Sequence, residues 1–311
     1  MYLESFGLKK KPFSLTSDPS MLYFTDSHRE ALAVLCYGLL ERKGLILLLG
    51  HAGTGKTTLL ARGVLGLPPS RVQFASIVNP TFTSAEFMEM VLLGFGIREI
   101  PASKPQRLAR LEKFLVQTQT DGKVAALIVD EAHKLNTDAL EEVRLLGNLE
   151  RRSEKLLQII LAGQNELAAT MNRDDCVQLK QRVSLRMALR PLEPADVGQY
   201  IACRWARAGG RQRAPFSPQA VELTALVSQG IPRSINVVCD NALMVAFGEQ
   251  SQVVEASHVR QSCVELDLLD GAVENIPASE AMLPPRKEHS HWSIEDGASR
   301  ATKNKASGSG R

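Results

Sequence analysis

No C-x-x-C pair occurs in this 311-residue chain, and its five cysteines, Cys36, Cys176, Cys203, Cys239 and Cys263, are scattered. An odd set of isolated thiols excludes a disulfide framework and points to a reducing compartment. No apolar run approaches the roughly 20 residues that span a bilayer. Lys9, Lys10 and Lys11 have no apolar core behind them, so the start does not read as a signal peptide. A cytoplasmic protein is therefore the expectation. The formal net charge of +3 is too small to imply nucleic acid by itself, and no internal repeat is present. What remains, 44% hydrophobic and 23% charged residues, is ordinary for a soluble chain with one large domain and one small one.

Against that plain background one segment stands out. Residues 50–57 read Gly-His-Ala-Gly-Thr-Gly-Lys-Thr, a complete G-x-x-x-x-G-K-T phosphate-binding loop. Leu45 to Leu49 precede it as a buried-strand run, and Thr58 to Arg62 follow as a helix, the setting that the motif requires. Gly50, Gly53 and Gly55 let backbone N–H groups turn toward phosphate oxygens, and the helix starting near Lys56 aims its positive end at the same anion. His51, Ala52, Thr54 and Thr58 complete the candidate phosphate contacts. Lys56 should reach the β- and γ-phosphates of ATP, and Thr57 should offer its hydroxyl to Mg²⁺. A second apolar strand, Val124 to Val129, ends in Asp130-Glu131. Two acids at the end of a buried strand fit a cation and a cleft, with Asp130 holding Mg²⁺ and Glu131 polarising the attacking water. His133 is read as a turn residue or a sensor contact. The tetrad Asp130 to His133 also occurs in a class of RNA helicases, but this chain has room for only one nucleotide-binding core.

Strands and helices alternate as far as residue 193. Helices are expected over 27–42, 84–93 with Ser84 as N-cap, 105–120 and 137–150. Strands are expected over 71–78, 156–162 and 184–189. After Pro194 the pattern becomes purely helical, over 195–208, 217–228, 232–247 and 256–265. The expected fold class is α/β, a P-loop NTPase parallel sheet with helices on both faces followed by a small all-α lid. The boundaries are residues 1–26 for an irregular N-terminal segment, 27–193 for the nucleotide-binding domain, 194–267 for the lid and 268–311 for a disordered polar tail. His289 and His291 fall in that tail and read as solvated residues.

A phosphate-loop sheet followed by a helical lid resembles the AAA+ ATPase superfamily. The resemblance implies further roles. Gln164, with Asn165 as alternative, resembles the sensor-1 residue after the fourth strand. Arg233 in Gly230-Ile231-Pro232-Arg233 resembles sensor 2. Arg182, with Arg186 next in line, stands where an arginine finger is carried. Asn79 ends the second strand, where a polar residue often restrains the catalytic Glu; an ordinary Asn-Pro turn is the other reading.

The opening Phe6…Pro12-Phe13…Leu22-Tyr23-Phe24…Ser27-His28-Arg29-Glu30-Ala31-Leu32 is similar to the start of the general secretion pathway protein A family. So are Asp130 to Leu135 and Tyr200-Ile201…Arg204…Ala208-Gly209…Phe216-Ser217…Ala220. That resemblance covers roughly residues 3 to 265 and makes Pro12 and Phe13 candidates for adenine contact, with a hydrophobic plug as the alternative for Phe13. Longer members of the family carry a transmembrane helix and a peptidoglycan-binding domain after the ATPase; here a polar tail follows instead.

The implied function is a homo-oligomeric ATPase, hydrolysing ATP with Mg²⁺ between subunits, that serves a protein partner at the inner membrane. The same module also resembles DNA-binding ATPases that serve transposases. On that alternative Arg204, Arg207, Arg211 and Arg213, with Trp205, would grip phosphates; the competing reading is a solvated charged face with Trp205 turned to the core.

Overall fold

The computed structural model describes residues 2–210 and 213–268. The expected tail, with His289 and His291, lies outside the described residues apart from Leu268, and so does Arg211.

The apolar runs become the middle of a sheet. In chain order the elements begin with α1 (Tyr2–Ser5), α2 (Asp26–Leu40), β1 (Leu45–Gly50), α3 (Lys56–Gly66), β2 (Val72–Ile77), α4 (Ser84–Gly94), α5 (Lys104–Thr120), β3 (Val124–Val129) and α6 (Thr137–Leu146). They continue with the short hairpin β4 (Glu150–Arg151) and β5 (Glu154–Lys155), then β6 (Leu157–Gly163), α7 (Asn165–Met171), α8 (Val177–Lys180) and β7 (Val183–Leu189). The last four helices are α9 (Pro194–Arg207), α10 (Pro218–Ser228), α11 (Pro232–Gly248) and α12 (Ala256–Glu265).

Five strands lie in the order β2-β3-β6-β1-β7, with every adjacent pair parallel. The inner strands β1, β3 and β6 are buried along their whole length, as a sheet covered on both faces demands. The period of two divides their side chains. Leu45, Leu47, Leu49, Leu127 and Ile159 join one core with α4, α5 and α6. Ile46, Leu48, Ile128 and Ile160 join another with α2 and α3. Each such side chain contributes about 1.5–3 kcal/mol on burial, so a one-residue slip of register is strongly disfavoured. Gln158, the polar residue within β6, is satisfied: its oxygen accepts from the Gly44 amide at 2.7 Å and its nitrogen donates to the Lys155 carbonyl at 2.9 Å.

Helices α9 to α12 enclose a third core, and the N-terminal residues Tyr2, Leu8 and Phe13 pack into it rather than onto the sheet. Arg204 on α9 is buried, and its guanidinium donates to the carbonyls of Pro12 at 2.7 Å and Ser14 at 3.1 Å. Arg207 donates to the Leu22 carbonyl at 2.6 Å. The segment before α2 is therefore fastened to the last helices. At the junction with β7, the Leu192 amide donates to the Gly230 carbonyl at 2.8 Å. Gly230 has φ +69°, and a Cβ there would lie 2.0 Å from the Leu192 carbonyl oxygen, so no other residue fits this crossing.

Three details differ from the sequence reading. The N-cap of α4 is Thr83, not Ser84: its hydroxyl accepts from the Glu86 amide while Glu86 reaches back to Thr83, a capping box worth more than a single serine contact. The helix expected over 137–150 stops at Leu146, capped by Gly147, and the β4–β5 hairpin takes the residues beyond. Short helices α1, α7 and α8 form where no element was expected.

Candidate functional site

The phosphate loop joins the C-terminal end of β1 to α3. Gly53 and Gly55 adopt φ of +78° and +99°. No side chain caps α3, so its first amides remain turned toward the loop's interior, where an anion is favoured. The Thr54 hydroxyl donates to the His51 carbonyl at 2.8 Å and closes the turn. Lys56 is buried, and its ammonium donates to the carbonyls of Gly50 at 2.9 Å and His51 at 3.0 Å. Burial pushes its pKa down, against the opposing pull of Glu131, Asp130 and Glu166.

The second half of the site arrives from β3. The Thr57 hydroxyl donates to Asp130 Oδ2 at 2.5 Å, and the Glu131 amide donates to Asp130 Oδ1 at 2.9 Å. Asp130 is buried, whereas Glu131 is half-buried in the left-handed region at φ +54°. A non-glycine residue held there costs about 1–3 kcal/mol, strain of the kind that gathers at functional turns. The helical part closes the other side. The Arg233 amide donates to the Gly53 carbonyl at 3.2 Å, which brings Arg233 onto the phosphate loop. Lys56, Thr57, Glu131 and Arg233 thus line one cleft of about 250 Å³ with Ser14 to Asp18, Met21 to Tyr23, Tyr200 and Asn236.

Not every candidate meets there. Phe13 is fully buried, edge-on to Phe216 at 5.8 Å, and the Pro12 carbonyl is taken by Arg204. Neither faces the cleft; the residues just after them do. Asn79 accepts from the Lys134 ammonium at 2.5 Å and does not touch Glu131. Gln164 instead reaches His133, at 3.2 Å. Asn165 stands 3.5 Å from the His51 ring. The hydroxyl of Thr58 pairs with that of Ser17 at 3.0 Å, and Ala52 is exposed at the loop's tip. Arg182 is exposed ahead of β7, at the end of the sheet opposite the phosphate loop, because Val183 pairs with Leu45 whereas Leu189 pairs with Gly50. It cannot serve its own chain's cleft. Arg186 is exposed on β7. Of the basic segment, Trp205 is turned to the core as the competing reading expected, but Arg204 and Arg207 do not form its solvated charged face: Arg204 is buried and both donate to backbone carbonyls of the N-terminal segment.

The sequence reading passed over three cleft residues. Tyr200 donates to Asn236 at 2.8 Å, and burial pushes its pKa up to about 12. His28 is buried under the phosphate loop, with Nε2 3.2 Å from the Thr54 carbonyl and Nδ1 2.6 Å from the Thr25 hydroxyl. The i, i+4 spacing of Tyr200 and Arg204 was a readable signal, whereas nothing near His28 marks it as a neighbour of residue 54.

Burial lowers the His28 pKa from 6.5, more than its bond to Thr54 raises it. A base whose folded value is depressed contributes stability that is complete above the unfolded value and lost as pH falls through the folded one. We expect the thermal-stability advantage of the wild type over His28→Gln to shrink as pH is lowered from 7.5 to 5, read by paired melting curves. A constant difference would show that the ring does not titrate against folding.

Residues 39–171 match the model of a family described as an AAA domain, and the parallel sheet with its helices has the AAA+ fold. Over 270 residues it is 37% identical to the General secretion pathway protein A of Aeromonas hydrophila, covering 86% of this chain and 48% of that protein. The chain therefore spans about half the length of that relative. It is also 27% identical over 245 residues to the ATP-dependent target DNA activator B of Escherichia phage Mu, covering 77% of this chain and 67% of the phage protein. Among solved structures, the ORC2 protein of Aeropyrum pernix in its ADPNP and ADP complexes superimposes with a TM-score of 0.63 at 17% identity, over 83% of this chain and 72% of that one. No described helix is long and apolar enough to cross a membrane.

Proposed function

We propose that this protein binds and hydrolyses ATP at a site completed by a second copy of itself, and that it uses the cycle to assemble or remodel a partner complex of the secretion or cell-envelope machinery. The observation that carries the reading is the convergence of Lys56, Thr57 with Asp130, Glu131 and Arg233 on one cleft. Lys56 and the α3 amides would bind the β- and γ-phosphates. Thr57 and Asp130 offer two hard oxygen donors already within hydrogen-bond distance, a set that fits Mg²⁺ with phosphate and water oxygens filling its other positions. The ion would neutralise charge on the phosphates. Glu131 orients the attacking water, Gln164 and Arg233 respond to the γ-phosphate, and Arg182 enters the neighbour's cleft. Similarity to General secretion pathway protein A supports a partner in a secretion machine; that partner would stand at the inner membrane, with this chain in the cytoplasm or peripheral there.

A second reading, a DNA-binding ATPase regulating transposition, is favoured by the similarity to the phage Mu protein. Measuring ATP turnover against protein concentration, with and without duplex DNA at two salt levels, separates them. Specific turnover that rises with concentration and ignores DNA is the expected result. Stimulation by DNA that vanishes at high salt would favour the second reading.

A further inference from the structure

We propose that His133 is a positioning residue that ties the water-orienting Glu131 to Gln164. This rests on the ATPase reading above and assigns a part of that site that the phosphate-loop motif does not contain. His133 sits in the single 3-10 turn Ala132–Lys134 that follows Glu131. Its Nε2 stands 3.5 Å from Glu131 Oε2 and 3.2 Å from the Gln164 side-chain amide. The ring is 14% exposed, and Nδ1 is buried with no partner among the described residues.

These contacts select one arrangement. A proton on Nδ1 would be a buried donor without an acceptor, a costly state, so of the two neutral tautomers the contacts select the one with its proton on Nε2. That single N–H lies between the carboxylate of Glu131 and the amide of Gln164, whose two ends can be exchanged to present the oxygen. Gln164 is available for this contact. It is the N-cap of α7 but makes no capping hydrogen bond with its side chain. Asn79 engages Lys134 through its side-chain oxygen and makes no hydrogen bond to Glu131 among the described residues. Glu131 sits in left-handed backbone, and the His133 ring stands beside its carboxylate. A displacement of Gln164 toward a γ-phosphate is thereby felt by Glu131 through one imidazole ring.

The test is steady-state hydrolysis by the full chain, with ATP-analogue binding measured in parallel. His133→Phe should keep KM and analogue affinity within about twofold and lower kcat about 10-fold, the scale of losing one close polar contact to a charged group. Gln places its amide nitrogen where Nε2 stands, and Asn places its own where the unpartnered Nδ1 stands. His133→Gln should therefore recover most of kcat and His133→Asn should not. Gln164→Ala should lower kcat in the wild type and add less than about twofold in the His133→Phe background. Equal rates for the Gln and Asn variants, or multiplicative effects of the Phe and Gln164→Ala changes, would overturn the assignment while leaving a hydrolysing wild type, and hence the ATPase reading, intact. A wild type without turnover would remove both. If His133→Phe fails to fold, the Gln and Asn pair decides.

Discussion

Glu131→Gln is expected to bind ATP as the wild type does and to turn it over at least about 100-fold more slowly, the range lost when a positioned general base is removed. The side chain keeps its length and its place beside His133, and only the proton-accepting charge disappears. Asp130 retains its hydrogen bonds from Thr57 and the Glu131 amide, so this end of β3 is untouched. Binding of a fluorescent ATP analogue and phosphate release, measured on the same preparation, separate the two effects. Undiminished turnover would move the base to another residue and dismantle the proposed mechanism.

Arg182→Ala should be nearly as severe but of a different kind. Its guanidinium stands at the far end of the sheet from its own phosphate loop, so nucleotide affinity should not change. What should vanish is the rise of specific activity with protein concentration, because an arginine supplied in trans is worth about 10³–10⁵ in rate. Mixing gives a sharper result. Arg182→Ala and Glu131→Gln chains should each be inactive alone, yet a joint assembly would contain clefts with an intact Glu131 facing a neighbour's intact Arg182. Equimolar mixing should therefore restore a fraction of the wild-type rate. If mixing restores nothing and Arg186→Ala abolishes the concentration dependence instead, Arg186 holds the role.

The inner sheet was readable because β1, β3 and β6 are continuous apolar runs, and buried parallel strands have no other appearance. The phosphate loop and Asp130-Glu131 were readable because the chemistry confines them to a strand end and a glycine-rich turn. The β4–β5 hairpin was not, since its tip is formed by Arg152 and Ser153 at φ of +52° and +65° rather than by the glycine or asparagine that marks such turns. Phe13 misled for a related reason. An aromatic near an expected base site suits either stacking or packing, and only the position of Phe216, some two hundred residues later, decides between them. Asn79 was read for its place at the end of β2, but its side-chain oxygen accepts from the Lys134 ammonium, a charge-assisted contact that nothing around residue 79 announces. Local pattern fixes what a strand or loop is; which side chain meets which depends on a partner distant in the chain.

Tyr2 donates to Asp240 across 238 positions, and Leu8 and Phe13 share the core of α9 to α12. On a ribosome working at about 5–20 residues per second, those early apolar side chains wait roughly 10–50 s for their partners to be made. Over that interval the sheet can form while the first residues stay unpaired and open to chaperones. The last helices to emerge are then the ones that retrieve the beginning of the chain.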